Sequence, residues 1–537
     1  MRKILFAALT AFMTLNAGAQ TIYDGTLFSN TDLNGTARFV GMGGAMGALG
    51  GDISTIGTNP AGIAIYRSHD AMFTLDMNSL STENSYLGQS FGDNTNKFFF
   101  NNAGFVFSNK IGNETTLRYV NFAFNYKRAK SFDRTMRSAG DLGGHSQTFL
   151  MRNNADGLVQ DAWSDNPFYN QDIGWLSALG YEGWLIDWST DNRYSSSTLS
   201  NLYSSVAEGT YPYMNEFYSR ERGGINQYDF NLSFNLGDRI YLGATLGAYD
   251  LNYHKYTLYD EGFNDEHGSP YGDGYSLESD NHVSGTGIDV KLGVIVRPFE
   301  YSPLRIGLAV HTPTFYKLTW KTSAYLISDL YTDSHGNPTD NTFKHTVDTY
   351  DYTDGKEMAM EYQLNTPWIF NASLGYTIGS WLALGAEYEY KDYSSMRFYY
   401  PGGAGMGYEN STARYGGLRG VNTYRAGIEF KPVSQFAFRA GYTYSDAAFE
   451  SYAVKDLPVN SIYTDSDFSN TQALSNYSFG IGYKGKSFYA DLTYLYSTQK
   501  SDFYPFAYYE DDTWYTPEAA KVTDNRSRVM LTLGYRF

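Results

Sequence analysis

Fourteen segments of roughly 8–14 residues alternate apolar side chains with small or polar ones, and this period constrains the chain more than any other feature. Alternation at every second residue means a β-strand with two unlike faces. In the last segment Val529, Leu531, Leu533, Tyr535 and Phe537 share one face, and Met530, Thr532, Gly534 and Arg536 share the other. Tyr228, Phe230, Leu232, Phe234 and Leu236 repeat the pattern, as do Ile240, Leu242, Ala244, Leu246 and Ala248. The segments begin near residues 71, 102, 116, 225, 239, 285, 303, 366, 381, 420, 435, 474, 486 and 524.

The connections fall into two alternating kinds. Short ones lie at 109–114, 237–238, 298–302, 379–380, 432–434 and 484–486; long ones lie at 78–101, 131–224, 256–284, 320–365, 394–419, 447–473 and 501–523. Strands joined this way make an up-and-down antiparallel sheet with turns at one end and loops at the other. The expected fold is therefore all-β: a 14-stranded antiparallel transmembrane β-barrel, in which every backbone polar group finds a partner within the wall. Tyr388, Tyr390, Tyr442, Tyr444, Tyr494, Tyr496, Trp368 and Trp381 lie near strand ends, where interfacial girdles sit.

Composition agrees. Tyr (50), Phe (35) and Trp (8) make 17% of the 537 residues aromatic, Gly adds 54, and Pro is scarce at 14. With no Cys there is no disulfide framework, thiolate metal site or Cys nucleophile. A formal net charge of −17 argues against nucleic acid as a partner. Residues 1–19 read as a signal peptide: Arg2 and Lys3, the apolar stretch 4–15, then Ala17-Gly18-Ala19. The expected mature chain starts at Gln20 and leaves the cytoplasm.

One strand face is rich in Gly (104, 243, 247, 293, 307, 375, 385, 427, 441, 480, 482 and 534) and in charges of both signs, including Asp229, Asp289, Lys291, Arg305, Glu387, Glu389, Arg425, Glu429, Arg439 and Asp491. So many inward glycines imply that something packs inside, and mixed charge facing a plug would pair. The expected plug is residues 20–70, ahead of the barrel at 71–537. It holds Gly41, Gly43, Gly44, Gly47, Gly50 and Gly51, and ends with Asn59-Pro60-Ala61-Gly62. Gly41-Met42-Gly43 lacks the strand–loop–helix setting of a nucleotide loop.

With Gly35-Thr36-Ala37-Arg38-Phe39, the Gly/Ala-rich stretch 41–51, Asn59-Pro60-Ala61-Gly62 before strand one, fourteen strands and a terminal Phe537, the chain resembles the FadL-type outer-membrane transporters of long-chain fatty acids and other hydrophobic compounds. The resemblance implies a monomeric barrel closed by an N-terminal hatch, gated around Gly41, Gly43, Gly44, Asn59, Pro60 and Ala61. It implies passive passage of an apolar small molecule past the hatch and sideways through the wall. It also implies outer-membrane lipids, lipopolysaccharide and the barrel-assembly machinery as partners, with Tyr535 and Phe537 as the assembly signal. No cofactor and no catalysis are implied. The family's lateral opening depends on a kink in the third strand; here 116–127 has no Gly or Pro.

The longest loop, 131–224, holds Trp163, Trp175, Trp184 and Trp188 with Phe168, Leu176, Tyr181, Leu185 and Ile186. Residues 175–188 read as a short amphipathic helix. Such a cluster on a water-facing loop either captures an apolar ligand or packs the loop into its own lid. The eight His show no metal-ligand spacing, and His311 has no visible partner. Acidic residues at 256–281 either hold divalent cations or form a solvated face. Haem capture on the same barrel and a closed structural or adhesive barrel stand as alternatives.

Overall fold

The computed structural model describes residues 20–86, 89–155, 158, 160–163, 165–188, 199–201, 211–264, 274–332 and 338–537. The expected signal peptide, the 265–273 part of the acidic segment and the Trp188 side chain lie outside what is described.

Fourteen antiparallel strands close on themselves. They are β1 (Asp70–Tyr86), β2 (Gln89–Lys110), β3 (Leu117–Ser131), β4 (Tyr211–Leu236), β5 (Ile240–Asn264), β6 (Gly274–Val296), β7 (Arg305–His311 and Phe315–Thr332), β8 (Met358–Asn365 and Ile369–Ile378), β9 (Leu382–Asp392), β10 (Gly420–Val433), β11 (Phe436–Ser445), β12 (Phe468–Lys484), β13 (Phe488–Tyr504) and β14 (Ala520–Arg536). Each pairs with its sequence neighbours, and β14 returns to β1 in register from Asp70↔Arg536 to Ser85↔Lys521. β7 and β8 break at Pro313 and Pro367, because Pro has no N–H for the ladder.

The strands run far beyond their alternating cores, which corrects the expected loops. Residues 78–101 are mostly a β1–β2 hairpin, and β4 is 26 residues long. A strand that long reaches roughly 85 Å, whereas about 9–11 residues cross a bilayer. The reason is local: residues such as Asn78, Ser79, Ser81, Thr82 and Asn84 are polar on both faces, so backbone pairing continues where the apolar pattern stops. The lower halves carry exposed apolar side chains right round the outside, among them Phe230, Leu292, Leu308, Leu374, Phe479 and Leu492.

Inside sits the N-terminal segment. Helix α1 (Ile22–Ser29) starts on a capping box made by Thr21 and Asp24. Helix α2 (Ala37–Gly41) is capped by the Thr36 hydroxyl, which accepts from Phe39 N at 3.1 Å. Two 3₁₀ turns follow, Ile53–Gly57 and Pro60–Ile65; Asn59 caps the second with Pro60 at its first position.

Candidate functional site

The hatch touches the wall backbone to backbone. A Cβ on Gly385 would lie 1.9 Å from Ala45 O, one on Gly427 2.2 Å from Met42 O, and one on Gly441 2.1 Å from Gly43 N. On the other side, Gly243 faces the Pro60 carbonyl, Gly293 faces the Asn59 side chain and Gly104 faces Ile53. These wall glycines exist to let the plug approach. Gly247, Gly480, Gly482 and Gly534 instead make room for Asp289, Thr493, Asp491 and Tyr489 of the wall itself.

The expected gating residues all lie at this contact. Gly43 and Gly44 turn the chain at φ +60° and +75° after α2, whose last residue, Gly41, meets Thr493. Asn59 Nδ2 donates to Val294 O at 3.3 Å, Pro60 O accepts from Asn231, and Ala61 is fully buried. His311 does face the lumen, where Nε2 lies 3.0 Å from Thr58 O and donates to it.

An ionic belt completes the seal. Arg38 bonds Glu429 through Nε at 2.9 Å, Glu429 bonds Arg439 at 2.7 Å, and Arg439 bonds Asp491 at 2.6 Å. Gly47 N donates to Glu387, which also pairs with Arg425 at 2.8 Å. Burial alone would lower the Arg38 pKa, but Glu429 outweighs it and holds the guanidinium charged.

The belt separates spaces above and below. Below is a vestibule of 470 Å³ bordered by Arg38, Asp52, Tyr66, Trp381 and Tyr489. Above lie two chambers flanking α1, both touching Thr26, Asn30, Thr471 and Gln499. One, of 260 Å³, has an apolar side of Leu27, Phe132, Val283, Trp320 and Phe449. Its ionic side includes Lys255, paired with Asp465 at 2.7 Å and Asp467 at 2.8 Å. The other, of 160 Å³, holds further ion pairs: Lys291 pairs with Asp289 and Lys391 with Glu389, while Lys127 makes no ion pair with a described residue.

The third strand has no kink in its middle, but it bulges near its top. Its pairing with β4 skips Ala129, between Arg128↔Asn226 and Lys130↔Ile225. The hatch fills that gap. Asp32 N donates to Ala129 O at 2.9 Å, Ser131 N donates to Asp32 Oδ2 at 3.1 Å, and Asn34 Nδ2 donates to Arg128 O. Here too the β2–β3 ladder ends, at Asn102↔Lys127, and residues 89–100 of β2 pair with β1 alone. Asn34 also bonds Asn101, the β2 residue skipped where β1 and β2 slip register. Outside this region an apolar groove of 630 Å³ crosses β14, β1, β2 and β3, with Ala71, Ala103 and Gly104 between Phe73, Phe100, Phe105 and Leu533.

Asp32 anchors this latch electrostatically. Burial pushes its carboxyl up, but Arg526, Lys130 and Arg528, with the Ser131 amide, outweigh it and hold the pKa at about 2. Arg526 lies 3.0 Å away. Asp32 and Asn34 escaped sequence reading because their partners are on β2, β3 and β14; no local pattern marks them.

The loop aromatics form a core. Trp175, Leu185 and Trp163 are buried; Trp175 Nε1 donates to Phe168 O at 3.0 Å, and Trp163 packs on Tyr181 at 4.7 Å between ring centroids. Trp184 is half-buried, at φ +60°, with its ring 5.4 Å from His345. The expected helix over 175–188 is shorter, Trp175–Glu182, and Ile186–Trp188 is a strand paired with Leu199–Asn201. Gly183 and the left-handed Trp184 end the helix. At the base, Phe537 N donates to His69 O at 3.2 Å, and the exposed rings of Tyr535 and Phe537 stack.

Among solved structures, the chain is similar to a Pseudomonas aeruginosa FadL homologue, at 13% identity and TM-score 0.50, over 94% of this chain and 99% of that one. Weaker likenesses reach the Pseudomonas putida toluene transporter TodX (11% identity, TM-score 0.44, 94% and 99% covered) and the Ralstonia pickettii toluene transporter TbuX (14%, 0.45, 94% and 99%). No family model and no curated protein matches the sequence. The likeness is one of fold: the chain has the FadL-type architecture.

Proposed function

We propose, from the fold shared with the FadL homologue, that this protein is a monomeric outer-membrane channel for passive uptake of hydrophobic small molecules, gated by its N-terminal hatch. In this reading residues 1–19 are a cleaved export signal, and Tyr535 and Phe537 address the barrel-assembly machinery. The exposed apolar band and the closed ladder suit a bilayer.

The observation that carries the gating is the bonding of Asp32 and Asn34 to the bulged top of β3. A ligand passes beneath the tryptophan lid to the apolar side of the 260 Å³ chamber, against Trp320 and Phe132. Movement of the hatch from α1 through α2 as one body withdraws Asp32 and Asn34, freeing Arg128 O and Ala129 O. The β2–β3 seam, already unpaired above Asn102, then widens toward the apolar groove outside. The route is downhill for an apolar solute and needs no energy input.

The Cys-free chain permits a direct test. A Cβ on Gly41 would sit 2.9 Å from Thr493 Oγ1, a separation suited to a disulfide. The double variant Gly41→Cys, Thr493→Cys should block uptake of radiolabelled oleate and toluene when oxidised and restore it on reduction. Uptake indifferent to the lock would refute hatch gating; failure to take up either probe in the unlocked protein would refute the channel.

A further inference from the structure

At the long-loop end a separate cleft of 610 Å³ opens between the helix Gln147–Asn153 and the loops after β9, β11 and β13. The rings of Tyr408, Tyr509 and Trp514 stand exposed on its rim. Tyr509 and Trp514 sit 5.3 Å apart at 55°, on a two-stranded hairpin, Tyr508–Glu510 with Thr513–Tyr515. Asn153 Nδ2 donates to Tyr509 O at 2.9 Å and ties that hairpin to the helix. The aromatic platform is therefore fixed before any ligand arrives.

The floor is mixed. Leu150, Leu457, Pro458 and Val459 lie beside the carboxyl of Asp456, whose pKa burial raises. The carboxamides of Asn154 and Asn460 line the same space, and no Lys or Arg is among the described lining residues. Three water-facing rings around one cleft expose apolar surface that a bound partner would cover. A hydrocarbon would cover the rings but strip water from the carboxyl and amides without replacing its hydrogen bonds. An anion would meet Asp456 with no cation to balance it. A quaternary ammonium offers no acceptor to the amide N–H groups.

We propose that this cleft binds a neutral glycan. The C–H face of a pyranose lies on the Trp514 and Tyr509 rings, and its hydroxyls exchange hydrogen bonds with Asp456, Asn154 and Asn460. None of its residues lines the hatch chambers.

The test uses the full-length barrel in lauryldimethylamine oxide, a detergent without sugar, titrated with maltohexaose, cellohexaose, chitohexaose and mannohexaose by calorimetry. At least one should bind saturably. Trp514→Ala should weaken that binding at least tenfold, Asn460→Ala at least threefold, and Trp514→Phe should largely retain it. Heat-modifiable migration on gels verifies that each variant folds. Binding of none of the four sugars, sugar binding unchanged in Trp514→Ala, or binding of tetramethylammonium in their place would overturn the proposal.

Discussion

The backbone N–H of Asp32 donates to the carbonyl of Ala129 at 2.9 Å, so the hatch completes a hydrogen bond that the bulge takes from the barrel wall. A wall strand whose bonding depends on the plug cannot stay the same when the plug moves. In the proposed gating, hatch and seam act as one device.

Asn34→Ala should loosen it. Asn34 joins Asn101, Arg128 O and Arg528, and its loss leaves buried polar groups without partners. The expected cost is about 1–3 kcal/mol locally, read as at least about fivefold faster amide exchange over residues 30–36. Unchanged exchange would remove Asn34 from the latch.

Gly385→Ala and Gly427→Ala place a methyl group against the Ala45 and Met42 carbonyls. Backbone cannot yield there, so the hatch should leave its seat while the wall still closes. Protease should then cut within residues 20–69, and single-channel conductance should rise. A protected hatch in both variants would contradict the close approach.

Asp32 fixes an acid limit. Its folded pKa, about 2, lies below the unfolded value of roughly 3.9. Its contribution is thus complete above about pH 4 and lost as pH falls through about 2. Protection of the 30–36 amides, with the intrinsic exchange rate at each pH divided out, should be steady from pH 7 to 4 and fall toward pH 2; Asp32→Asn should show the low protection throughout.

Glu261 behaves in the opposite sense. Burial raises its carboxyl pKa despite donors from Ser146, Tyr259, Tyr275 and the Gln147 amide. A raised carboxyl pKa means that folding favours the protonated form, so stability falls as pH rises through the window above the unfolded value of about 4.3. The segment 146–151 should be better protected at pH 4.5 than at pH 7.5, and Glu261→Gln should flatten that difference. Equal pH dependence in the variant would acquit Glu261.

Ala103→Phe fills the apolar groove outside the β2–β3 seam. Uptake should fall several-fold while ligand binding inside the barrel persists. Full uptake would place the exit elsewhere.

The sequence made the fold legible where lipid-facing and lumen-facing residues alternate, as in Val529 to Phe537. It hid the upper strands, because Asn78 to Asn84 look like loop until a neighbouring backbone pairs with them. The glycine face was readable as a sign of internal packing. Its partners were not, since Arg38 meets Glu429 across 391 positions. The tryptophans of the long loop were visible as a cluster; whether they face water or each other depends on packing, and Trp175 and Leu185 proved buried. The bulge at Ala129 carries no Gly or Pro, because it is held open by a hatch amide rather than by its own residue type.

The residues from Asp32 to the first residue of α2 also grip β14: Arg526 holds Asp32, Arg528 holds Leu33 O and Asn34, and Thr532 accepts from Ala37 N. The plug thus straddles the rung where the wall's last strand meets its first. With so little clearance at Gly385, Gly427 and Gly441, plug and wall are cut to one shared surface, and the joint that shuts the cylinder is braced from within.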